Sequence, residues 1–369
     1  MLDPEYLAHL PEPILQLWRE GERKILADMA RRIATYDYWI PAADHQAKML
    51  QTAGHTREEI LAALAPITRK SEDELREMMI EAGSRCLRGD IQIYRAAGLE
   101  VPTPAESAGL TATLNKGYQE TAQTMFNLTR TTAQTATRQF EAVLDRAWVN
   151  VSSGGIDYEA AIRSAIKELA GAGLAAIEYP DSGRVDSIET AVRRAVLTGV
   201  NQTAGKLQME LADEVGCDLV EVSAHAGARP EHALWQGKIY SRSGTSEKYP
   251  DFVAATGYGT GAGLCGWNCR HSFGPYIEGA PRVWTDEKLA ELNEPKYEYN
   301  GEQLTEYEAE QLERHFDRNI RRWNLEADAL TAAGQDASAE RAKAAAWRAR
   351  KRDFLENRNP IYATPVRFV

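Results

Sequence analysis

A chain of 369 residues with 43% hydrophobic and 26% charged residues can bury a substantial core, and its length suggests two or three domains. A formal net charge of -11 excludes coating nucleic acid through bulk charge and leaves room only for a local basic patch. No run of about 18 apolar residues is found, so no membrane span is expected. The start, Met1 to Tyr6, has neither the basic nor the apolar region of a signal peptide, and four cysteines are too few for a disulfide scaffold. Synthesis in a reducing cytoplasm is the expectation.

From about residue 5 to 150 the pattern reads as helix after helix. Pro13 suits a first helical turn, where its missing N–H costs nothing, and Ile14, Trp18, Ile25, Met29 and Ile33 then form one apolar stripe. Thr56 with Glu59 and Ser71 with Glu74 have the spacing of capping boxes and predict two helix starts, the second helix running to about Ala97. Residues 101–104, with two prolines, break the chain. A long helix is predicted over 105–148, with Leu110, Leu114, Tyr118, Met125, Leu128, Phe140, Val143 and Leu144 as its apolar positions. Its middle, 127–139, is rich in Thr and Gln, which predicts either an exposed face or a face packed on a partner in an assembly.

Residues 151–155 read as a linker. Asp157 is placed to cap a helix through about Ala172, and Asp186 or Ser187 to start another. That second helix carries Val185, Ile188, Val192, Val196, Val200, Leu207 and Leu211 on one face and ends near Gly216. The character changes at Cys217. Residues 218–224 and 238–241 read as strands, 249–279 as irregular, and 296–301 as a strand entering an Asn-Gly turn. Thr305 and Glu308 form a third capping box, opening a helix with Leu312, Phe316, Ile320 and Trp323 that Gly334 stops. A last helix covers about 337–356. The tail, with Ile361, Tyr362, Val366 and Phe368, is expected either to extend a neighbouring subunit's sheet or to fray.

The fold class is therefore α+β and predominantly helical. Residues 1–150 form a helical assembly region and 151–216 a helical connector. Residues 217–335 form a Cys/His loop domain, and 336–369 a helix and tail.

Three of the seven histidines and two of the four cysteines fall in two Gly-rich segments. His225, Arg229, Pro230, His232, Trp235 and Gly237 lie in the first; Cys265, Asn268, Cys269, Arg270 and His271 lie in the second. Thiolates and imidazoles are the donors zinc prefers, and Cys269 and His271 project to one side of an extended segment. The same residues read otherwise as hydrogen-bonded loop histidines with free or oxidised thiols. A thiol-hydrolase set of Cys269 with His271 or His232, and Glu231 as orienter, lacks a nucleophile turn and an oxyanion hole. Gly257 to Gly263 repeats glycine at every second position but lacks the strand–turn–helix setting of a phosphate loop, and reads as a flexible loop. On the last helix, Arg341, Lys343, Arg348, Arg350, Lys351 and Arg352 surround Trp347 and form either a phosphate-contacting face or a solvated one.

These two segments, with Pro275-Tyr276 and the run from Tyr297 through Tyr307, Glu308 and Arg314 to Trp323, resemble the tailed-phage minor capsid protein 2 family. That family is similar to head-morphogenesis minor capsid proteins of the Mu F type. The likeness is sharp over about residues 185–330 and looser elsewhere. It implies a non-enzymatic virion protein, made in the bacterial host cytoplasm and carried in the phage head near the portal. Portal, major capsid or scaffold proteins would be its partners, with packaged DNA a further one, and head assembly and genome packaging or ejection its work. Wider relatives place Cys-x-x-Cys where Arg229 and His232 stand and Cys-Arg-Cys where Cys269, Arg270 and His271 stand. This implies a structural zinc site made from four of His225, His232, Cys265, Cys269 and His271; Arg229 departs from the pattern, so the fourth ligand falls to His225 or Cys265. The readings from other classes are a metal-dependent hydrolase or nuclease using the same cluster, and a DNA-contacting head protein using Arg348, Arg350, Lys351 and Arg352.

Overall fold

Long amphipathic helices carry most of the chain, and their apolar stripes meet in one core. The computed structural model describes residues 1–102, 106–154 and 156–361. After a short helix α1 (Pro4–His9) come α2 (Glu12–Thr35), α3 (Ala42–Ala96), α4 (Ala108–Ser152) and α5 (Tyr158–Ala172). A hairpin, β1 (Ala175–Tyr179) and β2 (Arg184–Ser187), leads into α6 (Ile188–Val215). The predicted stripe of α2 is buried throughout. Asp157 and Ser187 cap α5 and α6 by accepting from Ala160 and Thr190 N–H, and Gly216 ends α6 in the left-handed conformation.

The two capping boxes at Thr56 and Ser71 do not start helices. Both lie inside α3, where their hydroxyls turn back to the carbonyls of Thr52 and Ile67, each at 2.8 Å. Ser71 Oγ also accepts from the buried Trp18 indole at 2.9 Å, a tertiary bond that a capping role would forfeit. The Thr-rich middle of α4 is exposed on one side only, at Asn127, Arg130, Thr131, Gln134 and Arg138. Thr129, Thr132, Thr135 and Thr137 are buried within this chain, with Thr129 hydrogen-bonded to Thr68 of α3 at 2.7 Å. Two reciprocal pairs bring α4 against α6: a Cβ on Gly117 would sit 2.1 Å from Thr203 Oγ1, and one on Gly199 2.3 Å from Thr121 Oγ1. Small residues permit this approach, and the pairing order makes the two helices antiparallel.

The rest of the chain is built on short strands. β3 (Leu219–Val222) follows α6, then α7 (Pro230–Ala233), β4 (Ile239–Ser241), α8 (Phe252–Thr256) and β5 (Phe273–Pro275). β3 is the central strand between β4 and β5, all antiparallel. After α9 (Asp286–Leu292), β6 (Tyr297–Tyr299) and β7 (Glu302–Leu304) form a hairpin on Asn300 and Gly301, both with positive φ, as a tight primed turn requires. α10 (Glu306–Ala332), with the full Thr305–Glu308 capping box, packs along α11 (Ser338–Asn357). The start of the tail pairs at home: β8 (Asn359–Pro360) joins β6, and Ile361 N–H donates to Lys296 at 2.8 Å. The expected roles of Tyr362, Val366 and Phe368, like Thr103, Pro104 and Gly155 in the predicted breaks, lie outside the described residues.

One apolar core runs from Leu2 to Ala337 and includes Trp18, Tyr94, Phe140 and Leu169. A second, much smaller cluster surrounds β3, with Val222, Trp235, Phe252 and Phe273. A third joins Leu304, Phe316 and Phe354 where the β6–β7 hairpin meets α10 and α11.

Candidate metal centre

The centre is built from two loops stapled to β3 and α6. Ser223 and Ser272 bond reciprocally, N–H to carbonyl at 2.8 Å and N–H to hydroxyl at 2.9 Å, so the chains leaving β3 and entering β5 run side by side. The first then turns over His225 to Ala228, and Pro230 opens α7, which carries His232 inward. Gly227 leaves room in this turn for the Arg270–Glu310 pair: a Cβ there would stand 2.4 Å from Glu310 Oε1 and 2.6 Å from Arg270 Nη2, so the two side-chain ends would have to shift.

The second loop is close-packed where the glycine alternation predicted flexibility. A Cβ on Gly263 would lie 2.1 Å from the Gly257 carbonyl oxygen, and one on Gly266 2.4 Å from that of Gly261. Backbone lies directly on backbone, with Trp267 N–H bonded to Gly261 at 2.7 Å. Cys265 and Asn268 both hold positive φ (57° and 53°), readily adopted by Asn but uncommon for Cys, so at Cys265 the surroundings enforce it. From α6, the fully buried Asn201 donates to the carbonyls of Cys269 (3.0 Å) and His271 (2.9 Å). Two turns on, Gln208 donates to the Phe273 carbonyl and, at 2.8 Å, to Asp90.

This scaffold brings His232, Cys269 and His271 together, all buried. His232 Nδ1 and His271 Nδ1 are 3.4 Å apart, and Cys269 Sγ lies 3.7 Å and 3.6 Å from them. Zinc bonds of about 2.0–2.1 Å to nitrogen and about 2.3 Å to sulfur at tetrahedral angles give N···N edges of about 3.4 Å and N···S edges of about 3.6 Å. The three donors thus have the dimensions of one face of a zinc tetrahedron.

The hydrogen bonds around them settle which imidazole nitrogens are bare. His232 Nε2 faces the Ala262 carbonyl at 3.0 Å, which can only accept, so the proton sits on Nε2. His271 Nε2 faces Gln236 Oε1 at 2.9 Å, and the same oxygen accepts from His225 N–H at 3.0 Å, which fixes the amide's orientation. Burial, then the charges of His225 and other neighbours, pushes His271 well below the ordinary histidine range; burial, then Arg229, lowers His232. Both rings are therefore neutral, with unprotonated Nδ1 lone pairs facing each other at 3.4 Å. The Cys269 thiol, raised by burial, can donate to only one of them. A divalent cation would answer all three lone pairs, and Gln236 and Ala262 stand where outer-shell acceptors of such ligands would be needed.

The other expected residues fall around this triad. His225 stacks on His271, ring centroids 4.4 Å apart, and burial with the charge of Arg270 lowers its pKa to about 3. Cys265 is buried in the apolar cluster and directs its thiol to the His271 carbonyl at 3.7 Å. Arg229 donates to the Trp267 carbonyl at 3.0 Å and Arg270 to Glu310 at 2.8 Å, which ties the centre to α10. Glu231 is exposed, away from the orienting position of a hydrolase set. On α11, Lys351 pairs with Asp317 (2.7 Å), Arg348 donates to Asn324 (2.7 Å) and Arg350 lies over Trp347 (4.5 Å), while Arg352 is exposed. For Asn201 and Gln208, seven apart, the signal in the sequence is a polar residue beside each of the apolar positions Val200 and Leu207 of α6; Gln236 carries none.

Fold and centre together define a predominantly helical α+β protein whose loop region is gathered on buried His and Cys side chains. The chain belongs to the phage minor capsid protein 2 family, whose model matches residues 2–356. It is 26% identical over 204 residues to a structural protein of Lactococcus phage LL-H, covering 54% of this chain and 52% of the relative. It is 34% identical over 76 residues to a structural protein of Lactococcus phage mv4, covering 21% and 53%. The chain thus spans about half the length of the curated relatives it matches. No solved structure matches it. Among the described residues no helix is long and apolar enough to cross a membrane.

Proposed function

We propose that this protein is a structural component of the phage head, made in the host cytoplasm. It is placed near the portal and acts in head assembly and in genome packaging or ejection, with portal, major capsid or scaffold protein as its direct partner. Family membership over nearly the whole chain supports the structural role. Within the protein, His232, Cys269 and His271 hold a structural zinc ion that cross-links the two loops; bound there, the ion supplies cohesion and no chemistry. The observation that carries this is the buried triangle of two bare Nδ1 atoms and one Sγ with zinc-sized edges. A buried set without a carboxylate supports a structural site over a hydrolytic one.

Metal analysis of the purified chain tests the clamp. One zinc per chain, lost in His232→Ala and Cys269→Ala, is expected; a metal-free protein with both variants folding normally contradicts it. For the role in the head, the protein is expected in intact virions and in empty heads, with chemical cross-links to portal protein. Its absence from both would remove that assignment.

A further inference from the structure

The triad supplies three corners, and a closed structural site needs a fourth. We infer that His225 is the fourth ligand, brought in by rotation of its side chain, in place of a donor at position 229. This rests on the zinc reading above.

Three residues stand near enough to be considered. Arg229 has no lone pair to offer, and its guanidinium is already drawn to the Trp267 carbonyl at 3.0 Å. Cys265 has a suitable atom that is committed elsewhere. Its thiol stands outside the set of mutually close donors, in the apolar cluster with Phe252 and Phe273, and its left-handed backbone (φ 57°) sets it against the His271 carbonyl at 3.7 Å. Turning it toward the triad requires rebuilding a loop in which backbone is packed on backbone.

His225 has neither obstacle. Its ring already lies on that of His271, with centroids 4.4 Å apart and planes 32° from parallel. Among the described residues its ring nitrogens have no hydrogen-bond partner, whereas His232 and His271 each have an acceptor fixing Nε2. The backbone at His225 is anchored: its N–H is held by Gln236 Oε1 at 3.0 Å, and its carbonyl accepts from Ala228 at 3.2 Å. The proposal requires a rotation of the side chain about this fixed backbone, and the amide that orients His271 also positions the pivot of His225. The guanidinium of Arg270 is held off by its bonds to Glu310 at 2.8 and 2.9 Å, a carboxylate it shares with Arg314. The resulting centre has three imidazoles and one thiolate.

The test is zinc K-edge X-ray absorption on the full chain, with the absorption spectrum of the Co(II)-substituted protein as a second readout. Wild type, His225→Ala and Cys265→Ala are compared, and retained helicity establishes that each variant is folded. Expected are three nitrogens and one sulfur in the wild type and in Cys265→Ala. In His225→Ala one nitrogen is replaced by a water oxygen, the cobalt spectrum shifts, and zinc affinity falls by at least roughly ten- to a hundredfold, the loss that even an outer-shell partner produces. Two sulfurs in the wild type, two nitrogens with an oxygen, or unchanged affinity in His225→Ala would overturn the assignment of His225 and leave the zinc site standing. A wild type that binds no metal overturns both.

Discussion

In the helical body, Trp18, Tyr94, Phe140 and Leu169 belong to one apolar core that reaches from Leu2 to Ala337. Around β3 the buried apolar set is a handful of residues, and in its midst stand two neutral imidazoles and a thiol with their lone pairs turned on one another. Area burial is roughly proportional to apolar surface removed from water, so the first region is held by many interchangeable contacts. The second is too small for that. It relies on backbone close-packing at Gly257, Gly261, Gly263 and Gly266, on the Asn201 and Gln208 staples from α6, and on whatever satisfies the triad. A loop region of this kind is specified by a few irreplaceable atoms, and a helical body by volume and pattern.

Substitutions that act on one region and spare the other sharpen this contrast. The largest effect belongs to the body: Phe140→Ala empties a fully buried site between helices and is expected to cost about 3–5 kcal/mol in denaturant unfolding. Its effect should be the same with and without zinc, and a strong zinc dependence would mean that the two regions are not separable. Next comes Gly263→Ala, which places a methyl 2.1 Å from a carbonyl oxygen. The expected cost is about 2–3 kcal/mol, the scale of overpacking a filled interior, read as raised hydrogen exchange confined to residues around 257–271. Ser71→Ala removes the acceptor of the Trp18 indole and should cost about 1–2 kcal/mol, with a shift in tryptophan fluorescence; a neutral result would mean that water or a neighbouring atom replaces the bond. The smallest is Lys351→Ala on α11, where Asp317 is mostly exposed: a change within about 0.5 kcal/mol is expected, and a larger one would assign that pair a structural role.

The same contrast explains what was legible beforehand. Caps and stops decided by neighbours in sequence were readable: Ser187, Gly216, Asn300-Gly301 and the Thr305–Glu308 box all do what their local chemistry dictates. Thr56 and Ser71 carry the same local signal and mislead, because in an unbroken α3 their hydroxyls find partners four residues back and, for Ser71, on α2. Thr129 reads as surface by composition but is buried, because its hydroxyl bonds to Thr68 of α3, a partner 61 residues away in sequence. β1, β2 and β5 are three to five residues long and carry too little alternation to be separated from loop. At the centre, residue types and spacing singled out all five His and Cys candidates, yet only the structure divides them into a triad of His232, Cys269 and His271, a stacked His225 and an inward Cys265. Gln236 and Asn201 act through hydrogen bonds that no spacing rule anticipates.

On the proposed reading, the loops around β3 are held by the His232, Cys269 and His271 cluster and its metal, while the helices hold themselves. Hydrogen–deuterium exchange on the full chain, before and after removal of bound metal by a strong chelator, tests this most directly. Exchange is expected to rise several-fold across residues 223–236 and 257–276 once the metal is removed, with α2 to α6 unchanged. Equal exchange in the two states, or loosening spread evenly over loops and helices, would contradict it.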